Sequence, residues 1–355
     1  MRVHLILLFG LSAVLAGCSK EPSSPVTDAQ TRELPPPATI TRSSPLVVYT
    51  TFNGKKIKPV LDAYKAESGT NYQLLVDGSL DNLNAVDDAT TLPNADIYVA
   101  NSFAELSAFA EADVFRPVRS NLIDAHIPEV LRDSEGRWVA ISKRVRVIVY
   151  NTDLVETNEL RGIVDYAALG DETWSNRLCL SSSRNAGNQL LFAFLIADLG
   201  VRNAELAVRH WRGNFAAPPF STDRDLIAAV AAGQCALGIV DSNTALKFAV
   251  SNQNAPVAPH LFAIEEEALF DFSGAGVSRH AHDADGAIAF LEWLTSATPA
   301  ALYAAQDSEM PSNPNASRGI ARANWAENVA VQGSFSELGF LQEDAIKLIE
   351  RARYP

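Results

Sequence analysis

Asp241-Ser242-Asn243-Thr244 follows a short apolar run, 235–240, and precedes a helix-forming stretch, 245–250. A carboxylate, hydroxyls and an amide would then stand at the carboxyl end of a buried strand, beside the free N–H groups of a helix. Open α/β sheets hold small polar ligands in such places, although a plain capping turn uses the same residue types. Ser183-Arg184-Asn185 opens a helix at 189–199 and adds a guanidinium, a candidate nest for an anion, although the carboxylate of Asp223 would repel one. Arg144 and Arg146 lie on a long extended run, 138–150, from which Arg144, like Arg184, is able to pair an acidic group of a ligand. His280-Ala281-His282-Asp283 has metal-binding side chains, but it follows a strand in charged sequence, where a solvated turn is expected. Cys179 and Cys235 have no nearby histidine to generate a thiolate nucleophile. The chain has no GxSxG, Walker or HExxH motif. The chemistry is that of binding, and no enzyme is expected.

These residues must be positioned by alternating strands and helices. Strands are expected at 46–49, 72–76 and 96–99, with helices after the first, from 77 to 88, and at 103–112. Beyond the extended run at 138–150 come a strand at 174–180, helices at 189–199 and 204–212, and a helix at 226–230 that stops at Gly233. The strand at 235–240 and the helix at 245–250 follow. Return strands are expected at 261–263 and 274–277, and helices at 285–295 and 343–352. Alternation of this kind builds parallel sheets with covered faces, an α/β fold. A strand as long as 138–150 can leave one lobe and enter another.

At 355 residues the chain is long enough for two cores, and its formal net charge of −13 with no Lys/Arg-rich run excludes nucleic acid as a partner. Arg2 precedes an apolar run at 5–15 that is too short to span a bilayer and ends in Leu15-Ala16-Gly17-Cys18. That ending resembles the bacterial lipobox. Residues 1–17 are therefore expected to be a signal peptide and Cys18 an acylated anchor on an exported, membrane-attached protein. Residues 18–45, rich in Pro, Ser and Thr, read as a tether. In an oxidising compartment the even pair Cys179 and Cys235, both in short apolar strand-like runs that neighbouring strands of one sheet could bring together, is expected to form a disulfide, with two buried thiols as the alternative.

Several segments, taken in order, point to one family: AISKRVRVIVYN (140–151), CLSSS (179–183), NFAAPP (214–219), the stretch 228–240, SGAGVS (273–278) and Pro311-Ser312-Asn313-Pro314. Together they resemble the periplasmic ferric-iron-binding proteins of ABC importers. The resemblance implies a two-lobed, type II-like periplasmic-binding-protein fold with mostly parallel sheets and a hinge of crossing strands. Lobe 1 would be 46–142 with 270–315, and lobe 2 would be 143–269 with 316–355. It implies a monomer that closes on a solute and delivers it to a permease and ATPase. The alternative is an envelope receptor that senses a ligand, binds a partner protein and transports nothing.

The family's iron ligands are replaced by neutral residues. Phe52-Asn53-Gly54 stand in the first loop, Asn101 after the third strand, Ala186-Gly187 after Cys179, and Asn243-Thr244 where a tyrosine pair is expected. No metal-ligand set and no resident cofactor are therefore expected. The solute would be ferric iron, an iron chelate or another small polar molecule. A shifted alignment would instead recruit Tyr49, Tyr98 or Asp241. The residues expected to line the cleft are Thr50, Thr51, Phe52, Asn53, Asn101, Arg144, Ser183, Arg184, Asn185, Asp223, Ser242, Asn243 and Thr244.

Overall fold

The computed structural model describes residues 44–52, 54–76, 92–260, 269–319 and 335–355. Cys18, Asn53, the expected helix at 77–88 and the expected strand at 261–263 lie outside the described residues.

The strands are β1 (Leu46–Thr50), β2 (Tyr72–Val76), β3 (Ile97–Ala100), β4 (Val139–Asn151), β5 (Leu178–Cys179), β6 (Leu237–Asp241), β7 (Val257–His260), β8 (Phe270–Val277) and β9 (Met310–Pro311). The helices are α1 (Lys58–Ser68), α2 (Phe103–Glu111), α3 (Asn121–His126), α4 (Ala186–Gly213), α5 (Asp223–Ala231), α6 (Ser242–Ser251), α7 (Ala284–Thr295), α8 (Ala297–Ala305), α9 (Phe335–Phe340) and α10 (Gln342–Ala352). The strands follow one hydrogen-bonded path, β2-β1-β3-β8-β4-β6-β5, with β7 and β9 also on β4. The outer pairs β1–β2, β1–β3 and β5–β6 are parallel. β8 and β4 traverse the middle antiparallel to their neighbours.

β4 organises the rest. Its first half pairs with β8 through Val145↔Phe270, and from Arg146↔Asp241 onward it pairs with β6. The expected long extended run is thus one strand of 13 residues that changes partner at 144–146. β4 and β8 are buried on both faces because helices cover them, so their apolar runs do not alternate with polar ones.

Local differences from the sequence reading have simple causes. The strand expected at 174–180 shrinks to Leu178–Cys179, because residues 172–174 form a 3₁₀ turn that buries Trp174. The two helices at 189–199 and 204–212 run together as α4, broken at Gly200, whose φ of 74° and ψ of 155° only glycine adopts readily. α6 begins at Ser242 instead of 245. The expected loop 241–244 is therefore corrected: Asp241 ends β6 as the helix N-cap, and Ser242, Asn243 and Thr244 form the first turn of α6.

Cys179 and Cys235 are bonded, with Cα atoms 5.8 Å apart and both side chains buried. The parallel pairing of β5 with β6 brings them together.

Candidate functional site

Side chains two residues apart on a strand share a face, so Ser142, Arg144 and Arg146 project together where β4 changes partner. The register sets Arg144 opposite Asp271 of β8 and Arg146 opposite Asp241 of β6. Opposite charges directly across a pair attract, and here both cations are buried, Arg144 at 5% exposure and Arg146 at 1%. Arg144 donates to Asp241 Oδ2 at 3.0 Å, to Glu309 Oε1 at 3.3 Å, to the Asn101 carbonyl at 2.9 Å and to Asp271. Arg146 donates to Asp223 at 2.7 Å, Asp241 Oδ1 at 3.0 Å and Asn188 at 2.9 Å. Lys56, from the segment after β1, donates to Glu309 at 2.6 Å and to Ser273 at 2.8 Å, with Asn101 Oδ1 at 3.4 Å.

Burial alone would lower the Arg144 and Arg146 pKa values, but the facing carboxylates outweigh it and raise both. Burial likewise works to raise the Asp241 and Glu309 carboxyls, and the cations beside them win and hold them low. Asp271 and Glu105 go the other way: burial raises both.

A continuous chain of hydrogen bonds joins several residues that are far apart in sequence. Asn185 donates to Asp223, which binds Arg146, then Asp241, Arg144 and the Asn101 carbonyl. The Asn101 amide and the Thr51 hydroxyl both donate to Glu105 at 2.8 Å. Thr50 is buried in β1, its hydroxyl near the Phe52 amide. Ser242 accepts from the Val145 amide, and Asn243 donates to Asp307, which also pairs with Lys247. The Thr244 amide donates to Asn243 Oδ1. Arg184 is exposed, and the Ser183 amide donates to the carbonyl of Pro355, so the chain itself uses one donor of the expected anion nest.

The guanidinium of Arg144, expected to pair a ligand's acidic group, is engaged by three of the protein's own carboxylates. The shifted-alignment ligands are engaged as well: Tyr98 donates to the Pro93 carbonyl, Tyr49 packs edge-on against it in the core, and Asp241 accepts from both arginines. His280-Ala281-His282-Asp283 is a turn in which Asp283 caps α7. Among the described residues, no group of three or more His, Cys, Asp and Glu could hold a metal ion. The sequence reading missed Lys56, Glu105, Asp271 and Glu309. Only Asp271 gave a signal, as a lone carboxylate inside the apolar run FDFSGAGV.

Lys143 lies beside the network, its ammonium 5.1 Å from the centre of the Phe270 ring. Burial, assisted by the Arg318 charge, pushes it down to about 8 from the ordinary 10.5. The folded pKa lies below the unfolded one, so between these values the unfolded chain binds the extra proton. Stability should therefore rise with pH across that window, by up to about 3 kcal/mol. Urea denaturation at both ends of the window checks this, and Lys143→Met should abolish that part of the rise.

The profile of the family described as bacterial extracellular solute-binding protein matches residues 61–333. "Iron uptake protein A1" of Synechocystis is 26% identical over 96% of this chain and 93% of its own length. "Iron uptake protein A2" of the same organism is 31% identical over 67% and 71%. Among solved structures, a Trichodesmium protein in complex with iron and citrate ligands superposes with a TM-score of 0.80 at 26% identity, covering 88% of this chain and all of the other.

Proposed function

This chain belongs to the bacterial extracellular solute-binding protein family, and we propose that it serves an ABC importer by taking up iron as a small chelate. In this reading the chain closes about β4 and β8, with 46–142 and 270–315 as one lobe and 143–269 and 316–355 as the other. It then delivers the solute to its permease and ATPase as a monomer held to the membrane through Cys18. Iron is supported by the similar proteins, the iron uptake proteins of Synechocystis and the Trichodesmium protein in complex with iron and citrate. The chelate rests on one observation: the carboxylates at the crossing of β4, Asp241, Asp271 and Glu309, are neutralised by Arg144, Arg146 and Lys56. A bare Fe(III) ion needs anionic oxygens, and these are committed to the protein's own cations.

Of the residues proposed for the cleft, the half-buried Thr51, Asn101, Ser183, Asn185 and Thr244 and the exposed Arg184 contact the solute by hydrogen bonds, and the half-buried Phe52 by its ring. Asn53 would join them. Thr50, Arg144, Asp223, Ser242 and Asn243, which are buried, hold the frame.

Titration of the metal-free protein with ferric citrate, followed by Trp fluorescence and visible absorption, tests the reading. The expected result is saturable quenching without a phenolate-to-iron charge-transfer band. A coloured complex would mean direct tyrosine ligation and overturn the chelate. No response would overturn iron citrate as the solute.

A further inference from the structure

The Lys56 ammonium is a buried cation in a cage. Its oxygens come from Glu309, Ser273 and Asn101, and the ring of Tyr303 lies beneath it at 4.7 Å and that of Phe52 at 5.9 Å. Carboxylate, hydroxyl and amide oxygens with aromatic faces are the groups that bind a free ammonium or alkali cation. The cage is itself well ordered by hydrogen bonds. Ser142 donates to the same Glu309 oxygen as Lys56, and Ser273 donates to Asn101 Oδ1 at 3.2 Å. Glu309 is wholly buried, and Arg144 reaches only its Oε1, at 3.3 Å, so without Lys56 its Oε2 would keep only hydroxyl partners for a desolvated charge.

We propose that Lys56 is a resident cation that fills a cation-binding cage bordering the solute site, and so determines that the site takes no free cation there. The cage adjoins Asn101 and Phe52, which ties this inference to the solute-binding reading for its biological meaning. The existence of the cage does not depend on that reading. A flexible four-carbon stem delivers the charge, so removing the stem should leave a cavity shaped for a primary alkylammonium ion.

The test is chemical rescue of the full chain carrying Lys56→Ala. Truncation at Cβ removes three carbons and the nitrogen, a propylammonium equivalent. Thermal unfolding is followed with n-propylammonium chloride against equal ionic strength of tetramethylammonium chloride, which is too large for the cage. The wild type should show no difference between the salts. Lys56→Ala should melt lower and then recover about 3–6 °C, saturably, with n-propylammonium. Methylammonium and n-butylammonium should recover less, and Lys56→Ala/Glu309→Gln should not respond. An equal response in wild type, or none in folded Lys56→Ala, overturns the proposal. If Lys56→Ala does not fold, Lys56→Met keeps the stem volume without the charge. It should melt lower than wild type, and Lys56→Met/Glu309→Gln should regain most of the loss. No regain overturns the proposal. Ferric citrate binding by the wild type, measured alongside, reports on the solute reading alone, so the two can fail separately.

Discussion

Arg144→Met should cost about 5 kcal/mol of folding stability at neutral pH, the upper end of what removing one partner of a buried ion pair costs. Methionine keeps much of the volume, so the loss is electrostatic. Asp271 and Glu309, both buried, and Asp241, at 19% side-chain exposure, would lose their shared cation together. Asp271 is already raised by burial with Arg144 in place, and without it the folded chain would bind a proton more tightly still. A carboxyl whose folded pKa is raised contributes stability at low pH and loses it as pH rises. The gap between wild type and variant should therefore narrow on acidification. Urea midpoints at pH 7 and pH 5 check both the size and the direction. A variant as stable as wild type at neutral pH would mean that the three carboxylates do not depend on Arg144. Arg144→Lys should recover little, since a single ammonium cannot reach four acceptors spread over β8, β6, Glu309 and Asn101.

Cleaving the Cys179–Cys235 disulfide should cost about 4 kcal/mol, the loop-closure entropy the cross-link removes from the unfolded chain for a separation of 56 residues. The bond joins the β5 edge to the turn before β6, and Arg146 depends on Asp241 at the far end of that strand. Cys179→Ala/Cys235→Ala should show a lower denaturation midpoint. Dithiothreitol should lower the midpoint of wild type and leave that of the double variant unchanged. Equal midpoints for oxidised and reduced wild type would show that the bond constrains nothing.

Much of the architecture was legible because it depends on short-range patterns. Apolar runs bounded by glycine and capping residues placed β1, β2, β3 and β6 and helices α1, α2 and α7 within a few residues. An even cysteine pair in strand-like runs pointed to the disulfide, and the ordered segments pointed to the family. Boundaries failed where a side chain is recruited by tertiary contact. Ser242 could read as a loop residue until its hydroxyl accepted the Val145 amide from a strand 97 residues earlier.

The sequence by itself determined that Asn101, Asn243 and Thr244, which stand where the family resemblance leads one to expect iron ligands, are neutral. It also determined that two arginines share one face of the crossing strand, because side-chain direction alternates along any strand. Only the tertiary structure decided what those arginines meet. Their carboxylate partners lie on β6, on β8, at the start of α5 and after α8, 77 to 165 residues away, and Lys56 is 253 residues from Glu309. An ion pair depends on distances of a few ångströms, and no local pattern encodes which distant strand will supply the opposite charge. The thirteen residues expected to line the cleft follow from their side-chain types and from the resemblance. Whether each is free to meet a solute or committed within the protein depends on burial and register, which exist only once the strands are paired.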